Sequence, residues 1–397
     1  MTSGNEARQG IAVLADDLTS AGDGAGPFRR AGHDARILFA ATASVPRHPA
    51  GVNAIDLGSR VLDEEAAASR TRQAARLFAG SGLLLKTVDS TLRGHVAAEV
   101  RAAWAGSRRR AVVIAPAFPA EGRATVEGVQ YVRGVPVHAS EYARDPAHPV
   151  RCSDLAVLFP EAVLTRPDRA AELPRLIEGG GLIVCSAAED GDLDRLVAAV
   201  PRLDEVLWVG SPGLAAALAR RCARATGSTA PPPAPARRPL VVVGSTNPAT
   251  RRQLAELHTG ADVQGVTVGV DPAPAVEALR GMTAPVLTLR TPDERHTPQT
   301  ARALARSQAA VVRALTEDHT VDALVLTGGE TAASVLQPLG ATAIDLLDEP
   351  EPGVVRGSLI GRLPLPVLIK AGGFGDDAVL LRLCHLVRHH PDPGAHA

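Results

Sequence analysis

The chain is short of lysine, aromatic residues and cysteine, and it has no long apolar run. Of its 42 basic residues only two, Lys86 and Lys370, are lysines. Arginine supplies the positive charge elsewhere, so each lysine asks for a reason. Aromatics are 3% of the 397 residues, leaving few rings for base stacking. With 42 basic against 43 acidic side chains and no basic arm, nucleic acid is not the expected partner. No apolar run reaches the roughly 18 residues that a membrane span needs. The start, MTSGNEARQG, lacks the apolar stretch of a signal peptide. Cys152, Cys185, Cys222 and Cys384 stand far apart without a C-x-x-C pair, which argues against a zinc site or a disulfide framework. The expectation is a reduced, cytoplasmic, soluble enzyme, free to form a homo-oligomer.

What is present is a rhythm. Short apolar runs alternate with longer amphipathic ones in both halves of the chain. GIAVLADD, ARILFA, GVNAIDLGS, LLLKTVD, RAVVIAP, GLIVCSA and VLWVGS read as strands of the first half. PLVVVGS, PVLTLRT, ALVLTGG and PVLIKAGG read as strands of the second. Continuous apolar strands separated by helices predict an α/β protein with mostly parallel sheets flanked by helices. The alternating stretch around Arg133–Gly134 predicts a β-hairpin inserted in the first half. The proline-rich run ATGSTAPPPAPARRP cannot join a core element. It divides the chain into an N-terminal domain over 1–225, a linker over 226–239 and a C-terminal domain over 240–397.

In such sheets ligands bind beyond the carboxyl ends of the strands. Two familiar phosphate motifs fail there. GSGLLLKT nearly matches a P-loop, but leucine replaces the glycine before Lys86, and Lys86 ends a strand. GDGAGP nearly matches the dinucleotide fingerprint, but Pro27 holds the last glycine position. Three other turns hold. VLTGGETA, VVVGSTNPAT and VLIKAGGFGD each run from a strand through glycine toward a helix. Bare backbone and free N–H groups at a helix start suit phosphate. One such turn is commonplace; three in one domain point to a nucleotide.

The first domain carries LADDLTSAGDGAG. Asp16 and Asp17 end its first strand, and Asp23 follows. A carboxylate there can accept a hydroxyl proton or hold Mg²⁺; equally, Asp17 or Thr19 can simply cap the next helix. KTVDSTLRGH bunches Lys86, Asp89, Ser90 and Arg93 at one strand end. Arginine grips a carboxylate with two bonds, and lysine adds a compact point charge, so the group reads as a receptor for a polyol acid. Asp89 or Ser90 is also placed to cap the following helix. Glu121 and Arg123 either contact substrate or brace a rigid turn.

Taken together, LADDLTSAGDGAG, KTVDSTLRG, PAFPAEGRATVEGVQYVRGVPV with SEYARDP, GSTNPATRRQ, TGGETA and KAGGFGD resemble the four-carbon acid sugar kinase family. They span about residues 11 to 380, in the family's order. The resemblance implies an ATP-dependent kinase of tetronates or 3-oxo-tetronates. Its N-terminal domain would bind the acid through Asp16, Asp17, Asp23, Lys86, Asp89, Ser90 and Arg93. Its C-terminal domain would bind ATP at Ser245, at Gly328, Gly329, Glu330 and Thr331, and at Gly372 and Gly373. The expected reaction moves a phosphoryl group from ATP, with Mg²⁺, to a terminal hydroxyl. Asp17 is the expected base, and Lys86 and Arg93 are expected to hold the acid or the moving group as the domains close across the linker. Four residues depart from the family pattern: Ser20, Gly22, Gly24 and His95. All four lie in the acid-binding half, so another small hydroxy acid is the alternative substrate. An NAD-dependent oxidoreductase and a non-catalytic sugar-acid sensor are the competing classes.

Overall fold

The computed structural model describes residues 10–39, 47–48, 50–145, 148–224, 234–244, 247–294 and 296–389. The chain divides into two compact units, Met1–Ser228 and Thr229–Ala397. Of the expected linker, residues 226–233 lie outside the described residues. Ala236, further along it, is buried and donates its amide to the Val387 carbonyl at 2.9 Å.

The first unit begins β1 (Ile11–Ala15), α1 (Leu18–Arg30), β2 (Ala35–Phe39), β3 (Val52–Asp56), α2 (Glu64–Leu77), β4 (Leu83–Thr87), α3 (Val96–Ser107) and β5 (Ala111–Ala115). A small antiparallel sheet follows: β6 (Arg123–Val126), β7 (Val129–Val132) and β8 (Val135–Pro136). The unit ends with α4 (Leu155–Leu158), β9 (Val163–Thr165), α5 (Leu173–Gly179), β10 (Gly181–Cys185), α6 (Asp190–Ala198), β11 (Val206–Gly210) and α7 (Pro212–Arg221). Its main strands run parallel in the order β2-β3-β1-β4-β11-β5-β10-β9. β1, β3, β4, β5 and β11 are buried along their whole length, as continuous apolar runs predict.

The second unit contains β12 (Pro239–Val243), α8 (Pro248–Leu257), β13 (Val263–Thr267), α9 (Ala273–Gly281), β14 (Val286–Arg290), α10 (Pro298–Glu317), β15 (Ala323–Thr327) and α11 (Gly329–Leu336). Then come β16 (Ala341–Glu351), β17 (Val354–Gly361), β18 (Pro366–Lys370) and α12 (Val379–Arg388). Its strand order is β13-β14-β12-β15-β18-β17-β16, parallel as far as β18 and antiparallel beyond. Its core packs Val241, Val243, Val325 and Leu368 against Leu254, Leu380 and Leu383.

Three features differ from the sequence expectation. The inserted hairpin has three strands, not two. Both of its turns, Glu127–Gly128 and Arg133–Gly134, place two consecutive residues at positive φ, the geometry that tight two-residue hairpins require. The β16–β17 hairpin was not expected, because its acidic, proline-broken sequence lacks a clean apolar alternation. Edge strands β9 and β13 were also not expected; each is half solvated and carries a weak apolar signal.

Candidate active site

In the first unit β1 lies between β3 and β4, although the chain visits β2 and β3 before β4. The carboxyl ends of β1, β3 and β4 therefore meet at a switch point of the sheet. Asp16 and Asp17 leave β1 there, Asp89 to Arg93 leave β4, and the loop after β3 contributes Arg60, which sequence reasoning passed over.

Arg60 is the hub. Its Nε donates to Asp16 Oδ2 at 2.7 Å and its Nη2 to Asp16 Oδ1 at 3.0 Å, a two-pronged pair. Its Nη1 donates to Asp17 Oδ2 at 2.5 Å, and its Nη2 also reaches the Ser20 hydroxyl at 3.0 Å. Asp89 Oδ2 lies 3.8 Å from the same Nη2. Burial alone would push the Asp16 carboxyl up, but the Arg60 guanidinium, helped by Lys86, holds it below its usual value. Gly94, at φ +85°, folds over this pair: a Cβ there would sit 3.4 Å from Asp16 Oδ2.

Asp17 has both oxygens engaged. Oδ1 accepts from the Ser20 amide at 2.7 Å and the Thr19 hydroxyl at 2.9 Å, capping α1, while Oδ2 takes Arg60. The capping alternative is thus realised, and it leaves the carboxylate poorly placed to act as a base. Asp23 lies half-buried within α1 and is itself partnered. Asp89 accepts Arg93 Nε at 3.0 Å and Nη2 at 2.5 Å on one oxygen, and the Thr91 amide at 2.7 Å on the other. Burial pushes its carboxyl up, but Arg93 and Arg60 outweigh that and hold it well below the usual range. Arg93 remains 31% exposed, the more open of the two cations, with Tyr142 under its guanidinium at 5.5 Å and Asp145 at 3.4 Å. Ser90 is half-buried, and its carbonyl accepts from Gln130 Nε2 at 2.8 Å. Gln130, on β7 and fully buried, thereby ties the inserted sheet to the β4 loop.

The compact charge of Lys86 does not stand open at the strand end. Its side chain is 1% exposed, and Nζ donates to the Thr87 carbonyl at 2.7 Å and pairs with Glu99 Oε2 of α3 at 2.8 Å. It acts from inside, beneath the loop that carries Asp89 and Arg93. Arg123 braces a turn by donating to the Glu121 carbonyl at 2.6 Å, and His95 bonds the Leu62 carbonyl at 2.7 Å.

Asp56, at the end of β3 and level with Ala15 of β1, was not singled out either. Its Oδ1 accepts from the Gly58 amide at 2.8 Å. Burial, with Asp17 and Asp16 alongside, raises its carboxyl to about 7.

In the second unit three turns meet at the carboxyl ends of β12, β15 and β18. Gly328, at φ +86°, opens α11, and Gly329 is that helix's buried first residue. A Cβ on Gly244, just past β12, would collide with the Thr331 hydroxyl. A Cβ on Gly372 would sit 4.0 Å from Gly328 Cα, and the Thr250 hydroxyl donates to the Gly372 carbonyl at 2.7 Å. Glu330 and Gly373 are exposed, Thr331 and Gly372 half-buried. Ser245 lies outside the described residues. The glycines of GDGAGP lie within α1, not in a strand–helix turn, which removes the dinucleotide fingerprint.

Residues 11–218 match the family model of a sugar-binding N-terminal domain, and residues 240–380 match that of a nucleotide-binding C-terminal domain. A D-threonate kinase of Bordetella bronchiseptica is 36% identical over 95% of this chain and 97% of its own. A D-threonate kinase of Cupriavidus necator is 34% identical over 93% of this chain and 95% of its own. A solved Salmonella typhimurium LT2 protein superposes with a TM-score of 0.78 at 22% identity, over 94% of this chain and 98% of that one; that likeness speaks for the fold alone. The chain belongs to the four-carbon acid sugar kinases, which join these two domains. Its reaction class is ATP-dependent phosphoryl transfer to an alcohol group.

Proposed function

We propose that the protein phosphorylates the terminal hydroxyl of a four-carbon sugar acid, and that D-threonate is its first candidate substrate. The carrying observation is the Arg60–Asp16–Asp17–Asp89–Arg93 cluster at the switch point of the first unit. It offers one cation with room for a carboxylate, Arg93, beside Ser90, and carboxylates able to accept hydroxyl hydrogens. Asp16 and Asp17 fix Arg60, and Asp89 fixes Arg93. Lys86 and Glu99 support the loop from below. Asp23 on α1 completes the proposed acid-binding set. The two D-threonate kinases at 36% and 34% identity favour that acid.

The nucleotide is proposed to lie against Gly328, Gly329, Glu330, Thr331, Gly372, Gly373 and Ser245, its phosphates on the amides that the turns leave open, those of Gly372 and Gly373 among them; the Gly328 amide is itself bonded to the Lys370 carbonyl at 2.8 Å. Mg²⁺ is proposed to enter with ATP. That ion favours phosphate oxygens and water over a protein cage, and among the described residues no group of three His, Cys, Asp or Glu is placed to hold a metal.

An ATP-consumption assay over D-threonate, L-threonate, D-erythronate and the 3-oxo-tetronates tests the reading. D-threonate is expected to give the highest kcat/KM. Preference for another tetronate corrects the acid, and no ATP use with any of them overturns the function.

A further inference from the structure

Lys370 ends β18 with its side chain fully buried. Its ammonium has three hydrogens and meets three carbonyls of the following turn: Ala371 at 2.9 Å, Gly372 at 3.2 Å and Phe374 at 3.0 Å. α8 reinforces the arrangement. The Thr250 hydroxyl donates to Gly372 O at 2.7 Å, and Gln253 Nε2 donates to Phe374 O at 3.0 Å and to Gly375 O at 3.1 Å. The carbonyls of residues 371, 372, 374 and 375 are thus all drawn inward. Ala371 N is used by Gly353 O at 2.8 Å and Phe374 N by Ala371 O at 3.2 Å. The amides of Gly372 and Gly373 have no acceptor among the described residues, and nothing lies within 4 Å of where a Gly373 side chain would begin.

We infer that Lys370 is a positioning residue for the nucleotide: by holding the turn's carbonyls inward it presents the Gly372 and Gly373 amides, over a buried positive charge, to a phosphate group. The inference rests on the nucleotide reading of this unit. Among the described residues the lysine has no carboxylate partner. The charged side chains on the surrounding elements are turned to one another: Arg252 to Asp377 at 3.2 Å, Arg382 to Asp376 at 2.8 Å and to Glu351 at 2.7 Å, and Arg251 to Asp293 at 3.0 Å. Glu330 on α11 is exposed, and Arg356 on β17 pairs with Asp348. Lys86 differs in this respect, since Glu99 balances it. An ammonium buried without a counter-ion is costly until an anion arrives, and burial pulls Lys370 down to about 8. Phosphate bound above it would favour its charged form, so nucleotide and proton bind cooperatively. As pH rises through about 8 the charge and one donor are lost, and ATP should bind more weakly.

The test is steady-state kinetics from pH 7 to 9 on the wild type and on Lys370→Met. In the wild type, KM for ATP is expected to rise several-fold across this range while KM for the acid stays level. In Lys370→Met, KM for ATP at pH 7 should rise at least tenfold and lose its pH dependence, with KM for the acid within twofold of wild type. An ATP KM that is flat with pH in the wild type overturns the inference, and this arm stands even if the variant fails to fold. A folded variant with unchanged ATP KM overturns it as well. Direct titration of the wild type with ATP separates the two levels: no binding at all defeats the nucleotide reading, whereas binding that is indifferent to Lys370 defeats only the lysine's role.

Discussion

At the scale of single residues, the proposed acid site is an electrostatic arrangement in which cations and carboxylates are matched within a buried space. Arg60 serves Asp16 and Asp17 together, and Arg93 serves Asp89. Asp56 is the carboxyl left without a cation bonded to it among the described residues. Its folded-state value of about 7 lies above the ordinary 3.8. The folded protein therefore keeps this proton where the unfolded chain has lost it. The stability it contributes is fully present below about 3.8 and is lost as pH rises through about 7. Asp56→Asn removes that loss and can still accept the Gly58 amide. The variant should be more stable than wild type at pH 8, by on the order of 4 kcal/mol, and melt at a higher temperature, with the difference shrinking toward pH 4. Melting curves at pH 4, 6 and 8 decide it; an equal gap at all three would mean that the proton is not the cause.

At the scale of elements, helix α1 shows why glycine recurs in LTSAGDGAG. A Cβ on Gly24 would lie 2.6 Å from Val13 Cγ1 of β1 and 2.8 Å from Thr87 Cγ2 of β4. The glycine lets the helix press onto two strands whose next residues, Asp16 and Val88, lead into the site. Overpacking of this kind costs about 1–3 kcal/mol, more than the better helix propensity of alanine returns. Gly281, the last residue of α9, has nothing within 4 Å of its added Cβ. Denaturant melts should find Gly24→Ala less stable by about 1–2 kcal/mol and Gly281→Ala unchanged or up to about 1 kcal/mol more stable. Gly24→Ala should also raise KM for the acid, because α1 begins at the Asp17 cap. A Gly24→Ala protein of wild-type stability and KM would refute the packing account. The three-stranded insert works at the same scale: Gln130 also donates to Pro116 O at 3.3 Å, so one buried amide locks the loops after β4 and β5 together.

At the scale of the whole molecule, one unit matches a sugar-binding family model and the other a nucleotide-binding one, and the proposed reading gives each unit one ligand. A ligand stabilises the unit that binds it, by about 2.7 kcal/mol at a hundredfold excess over Kd. Calorimetry of the full chain should therefore show ATP and D-threonate moving different parts of the unfolding profile. ATP should protect the amides of the Gly328 and Gly372 turns from hydrogen exchange, and D-threonate those of residues 89–94. Protection of the same turns by both ligands would contradict the division of roles.

The sequence by itself determined much of this. The strand–helix alternation, the glycine turns, the aspartate pair and the family are all local signals, carried by apolar runs and by backbone conformations that only certain residues adopt. The Lys86 and Arg93 cluster was legible for the same reason, since all its members lie on one strand end. What the lysines do was decided only by tertiary structure. Lys86 faces α3 and Glu99, a choice between the two sides of a sheet that a strand buried on both faces does not reveal. Lys370 turns back on its own loop, because α8 and the turn close around its ammonium. Arg60 joined the site only because β3 lies beside β1, while the chain passes through β2 between them. Adjacency of strands distant in sequence is a property of the sheet as a whole, and no local pattern around Arg60 encodes it.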